Sequence, residues 1–274
     1  MPDPSSENCI RVAHWSELLE ALHEGSWNAR INRHRASHLF RGQTLASHDL
    51  RPGIARNDGR RLELEKHLLR NFGKYARSYL DVSEDLPKNF WQWIALAQHH
   101  GLPTRLLDWT YSPLIAAHFA CNDLAEMDCD GAIWKVNYHL AHDLLPDEMT
   151  DSLKAQGAHV FTDELLAGVI GSLDELAHPT QERSGQVVFF EPPSISARIV
   201  NQFACFSVQL GNSASMAGWL ADNPGLWTKI IVPSQLKWEV RDRLDQSNIT
   251  ERVLFPGLDG LCNWLDRQYY PRDV

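Results

Sequence analysis

Between Gln98 and Pro113 the chain reads QHHGLPTRLLDWTYSP, its densest run of residues able to do chemistry. His99 and His100 titrate near neutral pH and can donate, accept or stack. Arg105 carries a permanent planar charge suited to phosphate. Asp108 can accept from Arg105, three positions earlier, or from the hydroxyls of a ribose. Trp109 offers a flat face to a base or a nicotinamide ring. Ser112 stands where an N-cap belongs, with Pro113 at the first helical position. The unpaired N–H groups of such a helix start attract an anion, and the hydroxyls of Thr104, Thr110 and Ser112 could join them. Together these groups suit a nucleotide-like ligand with phosphate, sugar and ring. Taken singly, each also has a structural use: an Arg–Asp pair fixes a loop, a tryptophan fills a core, a serine caps a helix.

The elements that must position this run are legible from periodicity. Helices are expected over 12–23, 62–80, 90–99, from Pro113 onward, over 234–244 and over 258–265. In 62–80, Leu62, Leu69, Phe72, Ala76 and Tyr79 recur at helical spacing. Gly101 and Pro103 stop the helix 90–99. Ala116, Ala117 and Ala120 let the following helix lie close against a neighbour. Strands are expected over 37–43, 132–138, 186–191, 199–209, 227–232 and 253–256. Residues 139–184 read as helical and polar, with Ser172 and Glu175 as a capping box. Helices come first and strands later. The expectation is a single α+β domain over 1–274, its N-terminal helices packed on a mixed, mostly antiparallel sheet, with 139–185 as a helical insertion.

Composition narrows the function classes. The chain of 274 residues has a formal net charge of −9, which excludes wholesale attraction to nucleic acid or anionic membrane. A local basic groove stays open, from Arg30, Arg33, His34 and Arg35 or from Arg51, Arg56, Arg60 and Arg61. Five scattered cysteines without a C-x-x-C pair fit reduced, buried thiols in a cytoplasmic protein. The first residues lack an apolar signal core, and no apolar run is long enough to span a bilayer. Phosphate-loop, dinucleotide-turn, nucleophile-elbow and zincin patterns are all missing. His139, His142 and Asp143 are expected on a solvated helix face, and no metal site is expected.

Phe40-Arg41-Gly42, the run from Gln98 to Pro113 and the alanine-bearing helix to Ala120 resemble the FRG-domain family. Leu50-x-Pro52 with Arg56 and Asp130-Gly131-Ala132-Ile133-Trp134 match it further. So do Glu191-Pro192-Pro193, Arg198-Ile199 with Gln202, and the run from Leu254 to Leu261. The resemblance covers about 38–265. It implies a bacterial or phage-associated effector or sensor in a defence or toxin setting. The order of motifs is also similar to that of ADP-ribosyltransferases, which implies their fold and NAD as cofactor. By motif, Arg41 would contact the pyrophosphate or the nicotinamide ribose, Thr110 and Ser112 would take the middle position, and Glu191 would supply the later carboxylate. No Glu/Gln-x-Glu pair precedes the strand 186–190, a departure from those enzymes.

Three readings follow. The first is NAD-dependent ADP-ribosyl transfer or NAD hydrolysis. Arg41, His100, Asp108 and Glu191 would be catalytic, and Arg41, His99, Arg105, Trp109, Thr110, Ser112 and Gln202 would hold NAD. A protein or a nucleic acid would be the target. The second is a non-catalytic module sensing a nucleotide or a partner protein. The third is a hydrolase or nuclease using His99, His100 and Asp108, with or without a metal.

Overall fold

The structure is a computed structural model that describes residues 8–56, 60–80, 86–194, 196–212 and 215–271. Its strands are β1 (Cys9–Arg11), β2 (Trp27–Asn28), β3 (Arg33–His34), β4 (His38–Gln43) and β5 (Leu107–Thr110), followed by β6 (Gly131–Asn137), β7 (Phe161–Thr162), β8 (Val187–Glu191), β9 (Ala204–Gln209) and β10 (Trp227–Val232). Eight of them form one sheet in the order β1-β10-β6-β4-β5-β9-β8-β7, while β2 and β3 pair separately. The inner pairings are antiparallel, and only the outermost ones, β1 with β10 and β7 with β8, are parallel. The fold is α+β on a mixed, mostly antiparallel sheet, as the pattern of elements implies. Helices also continue through the second half of the chain.

Alternation along the strands sorts the core into layers. Phe40, Ile133, Ile230 and Val232 face the helices Trp15–His23, Pro113–Ala120 and Ser234–Gln246. Further along that face, Phe190, Phe206 and Val208 pack under Trp91 and Ile94 of the helix Phe90–His99. The opposite face carries Leu39, Trp109, Trp134, Phe189 and Cys205, covered by Trp219, Leu220 and Tyr138. The first face is therefore roofed by two helix clusters, one over β10, β6 and β4 and one over β9 and β8.

The helix Pro113–Ala120 sits on β4 without room for one more carbon. A Cβ at Gly42 would collide with the carbonyl oxygen of Ala116 and stand 2.6 Å from the amide nitrogen of Ala120 and 2.8 Å from Phe119 Cβ. Ala116, Ala117 and Ala120 are fully buried, so the small residues do permit close approach. Ser112 caps this helix and accepts from the Ile115 amide.

Several expectations are corrected. The span 62–80 becomes a 3-10 turn and a shorter helix, Glu65–Ala76. Its deeply buried residues are Glu65 and Ala76, while Tyr79 is exposed. Residues 199–201 close a short helix, Ala197–Asn201, before β9 begins. The expected strand 253–256 is replaced by a helical turn, Glu251–Leu254, followed by Leu258–Gln268. Residues 139–185 are mostly helical but not merely polar: Leu145, Met149, Phe161, Leu166 and Leu176 join the core. His142 is buried, not solvated. Its Nε2 accepts from the Phe189 amide at 2.9 Å, so its Nδ1 must donate to the His159 carbonyl, also at 2.9 Å. His139 stacks on His159.

Two predictions follow from this packing. Gly42→Ala should cost on the order of 1–3 kcal/mol or more through overpacking, read as a lower urea midpoint. Burial drives His142 down to about 4 and His118 down to about 3. Unfolding lets both rise toward their ordinary range, so the unfolded chain binds more protons below pH 6.5. Stability should hold above that pH and fall from 6.5 toward 4, by up to about 1.4 kcal/mol per pH unit for each histidine. Urea unfolding at pH 7.5, 5.5 and 4.5 checks this, and His142→Gln should flatten the decline.

Candidate functional site

Antiparallel neighbours normally stay bonded along their shared length, but β4 and β5 meet at one pair only, Phe40 opposite Thr110. Beyond it the strands part. A cleft of about 400 Å³ opens there, between the two helix clusters. Its walls come from β4 (Phe40 to Gln43), β5 (Asp108 to Thr110), β9 (Ala204, Phe206) and the short helix bearing Arg198 and Ile199, with Phe119 at one end.

Arg41 lies across the opening. One terminal nitrogen donates to the backbone carbonyl of Asp108 at 2.6 Å and stands 3.7 Å from that residue's carboxylate. Its buried Nε has no partner among the described residues. Desolvation lowers the pKa of Arg41, Asp108 opposes that, and the nearby Arg56 adds to it. The Asp108 carboxylate is 57% exposed to the cleft and accepts from Gln98 Nε2 at 3.0 Å. Thr104 donates to Gln98 Oε1 at 2.6 Å, which fixes the orientation of the amide.

The cleft is cationic within an acidic chain. Arg41, Arg56 and Arg198 line it with His48 and His99, and Asp108 is the one carboxylate among its lining residues. Among the described residues, no carboxylate forms an ion pair with Arg56 or Arg198. His99 is held below its ordinary pKa by burial, then by Arg198 and His100, against Asp108. Burial is the larger cause of both shifts, and like charge from Arg56 and Arg198 adds to it.

Of the candidates read from sequence, Arg41, His99, Asp108, Trp109, Thr110 and Gln202 border the cleft. Trp109 does so without offering its ring. The indole packs on the opposite face, 3% exposed, and donates to Ser207 Oγ at 2.7 Å. Thr110 donates to the Gln202 carbonyl and accepts from the Ser112 amide, tying β5 to the neighbouring helix. Gln202 itself donates to the Leu254 carbonyl.

His100, Arg105, Ser112 and Glu191 do not line the cleft. His100 follows the end of its helix and is exposed. Ser112 is occupied as a cap, accepting from the Ile115 amide, and does not reach the cleft. Arg105 is buried in a forked ion pair with Glu65 and donates to the Gly211 carbonyl at 3.0 Å. Glu191 extends β8 on the face of Phe189, opposite to Phe190 and Phe206. There it accepts from the Tyr111 hydroxyl at 2.9 Å; burial first, and then nearby groups including Glu191, push the Tyr111 hydroxyl and the Cys205 thiol up, while Tyr111 opposes the rise at Cys205. The residues that sequence reasoning missed in this site are Gln98 and His48. Arg56 stood among the candidates for a basic groove, and Arg198 within a family motif.

The fold and the cleft define an α+β protein with a basic pocket in a parted sheet. Residues 36–129 match the family model of the FRG domain, and that segment is an FRG domain. It supplies Arg41, Arg56, Gln98, His99 and Asp108, whereas Arg198 and Gln202 lie beyond the matched span. No curated protein and no solved structure matches the chain. Among the described residues no helix is long and apolar enough to cross a membrane, and no group of three potential metal ligands gathers.

The burial of Arg105 separates structure from binding. Arg105→Met should cost about 3–5 kcal/mol by stranding Glu65, and the double variant with Glu65→Met should recover much of it. Denaturant midpoints of the two variants measure this.

Proposed function

We propose that the cleft binds a phosphorylated, nucleotide-like ligand and that the protein acts as a sensor or effector through that binding. One observation carries the reading: three guanidinium groups, on Arg41, Arg56 and Arg198, border one cavity that has a single carboxylate. Planar guanidinium groups suit phosphate oxygens in geometry and charge. Phe119, partly exposed, adds apolar wall for a base or sugar, while Phe40 and Phe206 border the cleft almost wholly buried. This arrangement needs only binding and no catalysis, which favours sensing.

NAD consumption is the second reading, supported by a specific feature. The Asp108 carboxylate is exposed in the cleft and oriented by Gln98 and Arg41. The basic residues fit the phosphates of NAD. Glu191, the carboxylate the resemblance implies, lies on the other face of the sheet, so an NAD-directed reaction would rest on Asp108. A carboxylate there could stabilise positive charge developing on a ribose. The bacterial or phage defence and toxin setting belongs to the same proposal, as does a cytoplasmic location, where nucleotides are abundant.

Thermal shift tests the binding reading, because a ligand that binds only the folded chain raises its Tm. NAD, ADP-ribose, ATP and inorganic phosphate form the panel. At least one phosphorylated nucleotide should raise Tm by a few degrees, and Arg198→Glu, at an exposed position, should abolish the rise. No shift with any of them at millimolar concentration overturns the reading. NAD turnover that is lost in Asp108→Asn would move the protein to the second reading.

A further inference from the structure

A second cavity of about 330 Å³ continues the cleft around the start of β5. It shares Arg41, Arg56, Gln98 and Asp108 with the cleft and adds Arg61, against an apolar wall that includes Leu106 and Leu107. The Arg41–Asp108 bridge is thus the boundary between two chambers and not the end of one. Arg41, Arg56 and Arg61 face Asp108 alone in the second chamber, as Arg41, Arg56 and Arg198 do in the first.

The chain neutralises an arginine that it buries for structure. Arg105 has Glu65, and Arg267 has Asp245 and Glu251. The arginines Arg56, Arg61 and Arg198 along the two chambers are exposed, and among the described residues no carboxylate pairs with them. Guanidinium groups without a carboxylate partner among the described residues stand at both ends of one groove, Arg198 over the Phe255 ring, with a charge bridge between the ends, and suit an anion at each end.

Building on the nucleotide reading above, we infer that the two chambers form one groove with two anion subsites, Arg198 at one end and Arg56 with Arg61 at the other. Its ligand carries two phosphate groups separated by a nucleoside unit. That chemistry occurs in a free nucleoside 3′,5′-bisphosphate and at the 5′-phosphorylated end of a short nucleic-acid strand.

Calorimetric titration of the full chain with AMP, adenosine 3′,5′-bisphosphate and the 5′-phosphorylated dinucleotide pApA tests this. The better of the two doubly phosphorylated probes should bind at least about tenfold more tightly than AMP, a gain expected for one added charge-assisted contact set. Arg61→Glu, at an exposed position outside the first chamber, should remove that gain, so that neither doubly phosphorylated probe binds the variant more than about twofold more tightly than AMP binds the same variant. Tighter binding of pApA than of the bisphosphate identifies a strand end as the source, and the reverse identifies a free nucleotide. Equal affinity for all three probes, or a gain that survives Arg61→Glu, overturns the two-subsite inference while leaving the nucleotide reading intact. Failure of every probe to bind removes both.

Discussion

The parting of β4 from β5 after a single pair is the constraint on which this site depends. Two strands that stayed paired would close the sheet under the helix roof and bury Asp108. Here the backbone carbonyl of Asp108 is satisfied by the Arg41 guanidinium at 2.6 Å. A strand carbonyl that loses its ladder partner still needs some donor, and a side chain spanning a gap can supply one where a neighbouring backbone cannot. The guanidinium thereby becomes part of the sheet and part of the cleft wall. The same event leaves the Asp108 side chain in the opening, held by Gln98.

What keeps β4 in place during this departure is its contact with the helix Pro113–Ala120. Gly42 and three buried alanines bring backbone against backbone, with no side chain between them to yield. Interiors packed this closely resist small displacements. The glycine after Arg41 is therefore explained by helix packing, and the arginine before it by the gap. Two adjacent residues answer two separate physical demands, one on each side of the strand.

Charge placement follows a consistent rule. Where arginines are buried away from the cleft they are matched by carboxylates, as in the Arg105–Glu65 fork and the Arg267 cluster. Around the cleft Arg41 stands 3.7 Å from Asp108, while the exposed Arg56 and Arg198 have no carboxylate partner among the described residues. Unpaired like charges held near one another cost stability, and proteins tolerate that cost where function uses it. His99 is held below its ordinary pKa first by burial and then by Arg198 and His100.

The sequence by itself determined the α+β class, the helix Phe90–His99 with its stop, the Ser112 cap and the close alanine packing, because each follows from neighbours a few positions apart. It also put Arg41 and Asp108 on the page as candidates. Only the tertiary structure decided which members of the central run line the cleft. Alternation and register turned the Trp109 ring and Glu191 to the far face and claimed Arg105 for an ion pair with a residue forty positions away. They brought in Arg198 from the second half of the chain. Residues 139–185 looked polar because their apolar groups are spaced over short helices, and their burial depends on partners in β8 and β9 that no local pattern reveals. His142 reads as an ordinary surface histidine until a backbone amide from another strand is placed against its ring. Facing and partnership are long-range properties, set by how the sheet is threaded and not by which residues it contains.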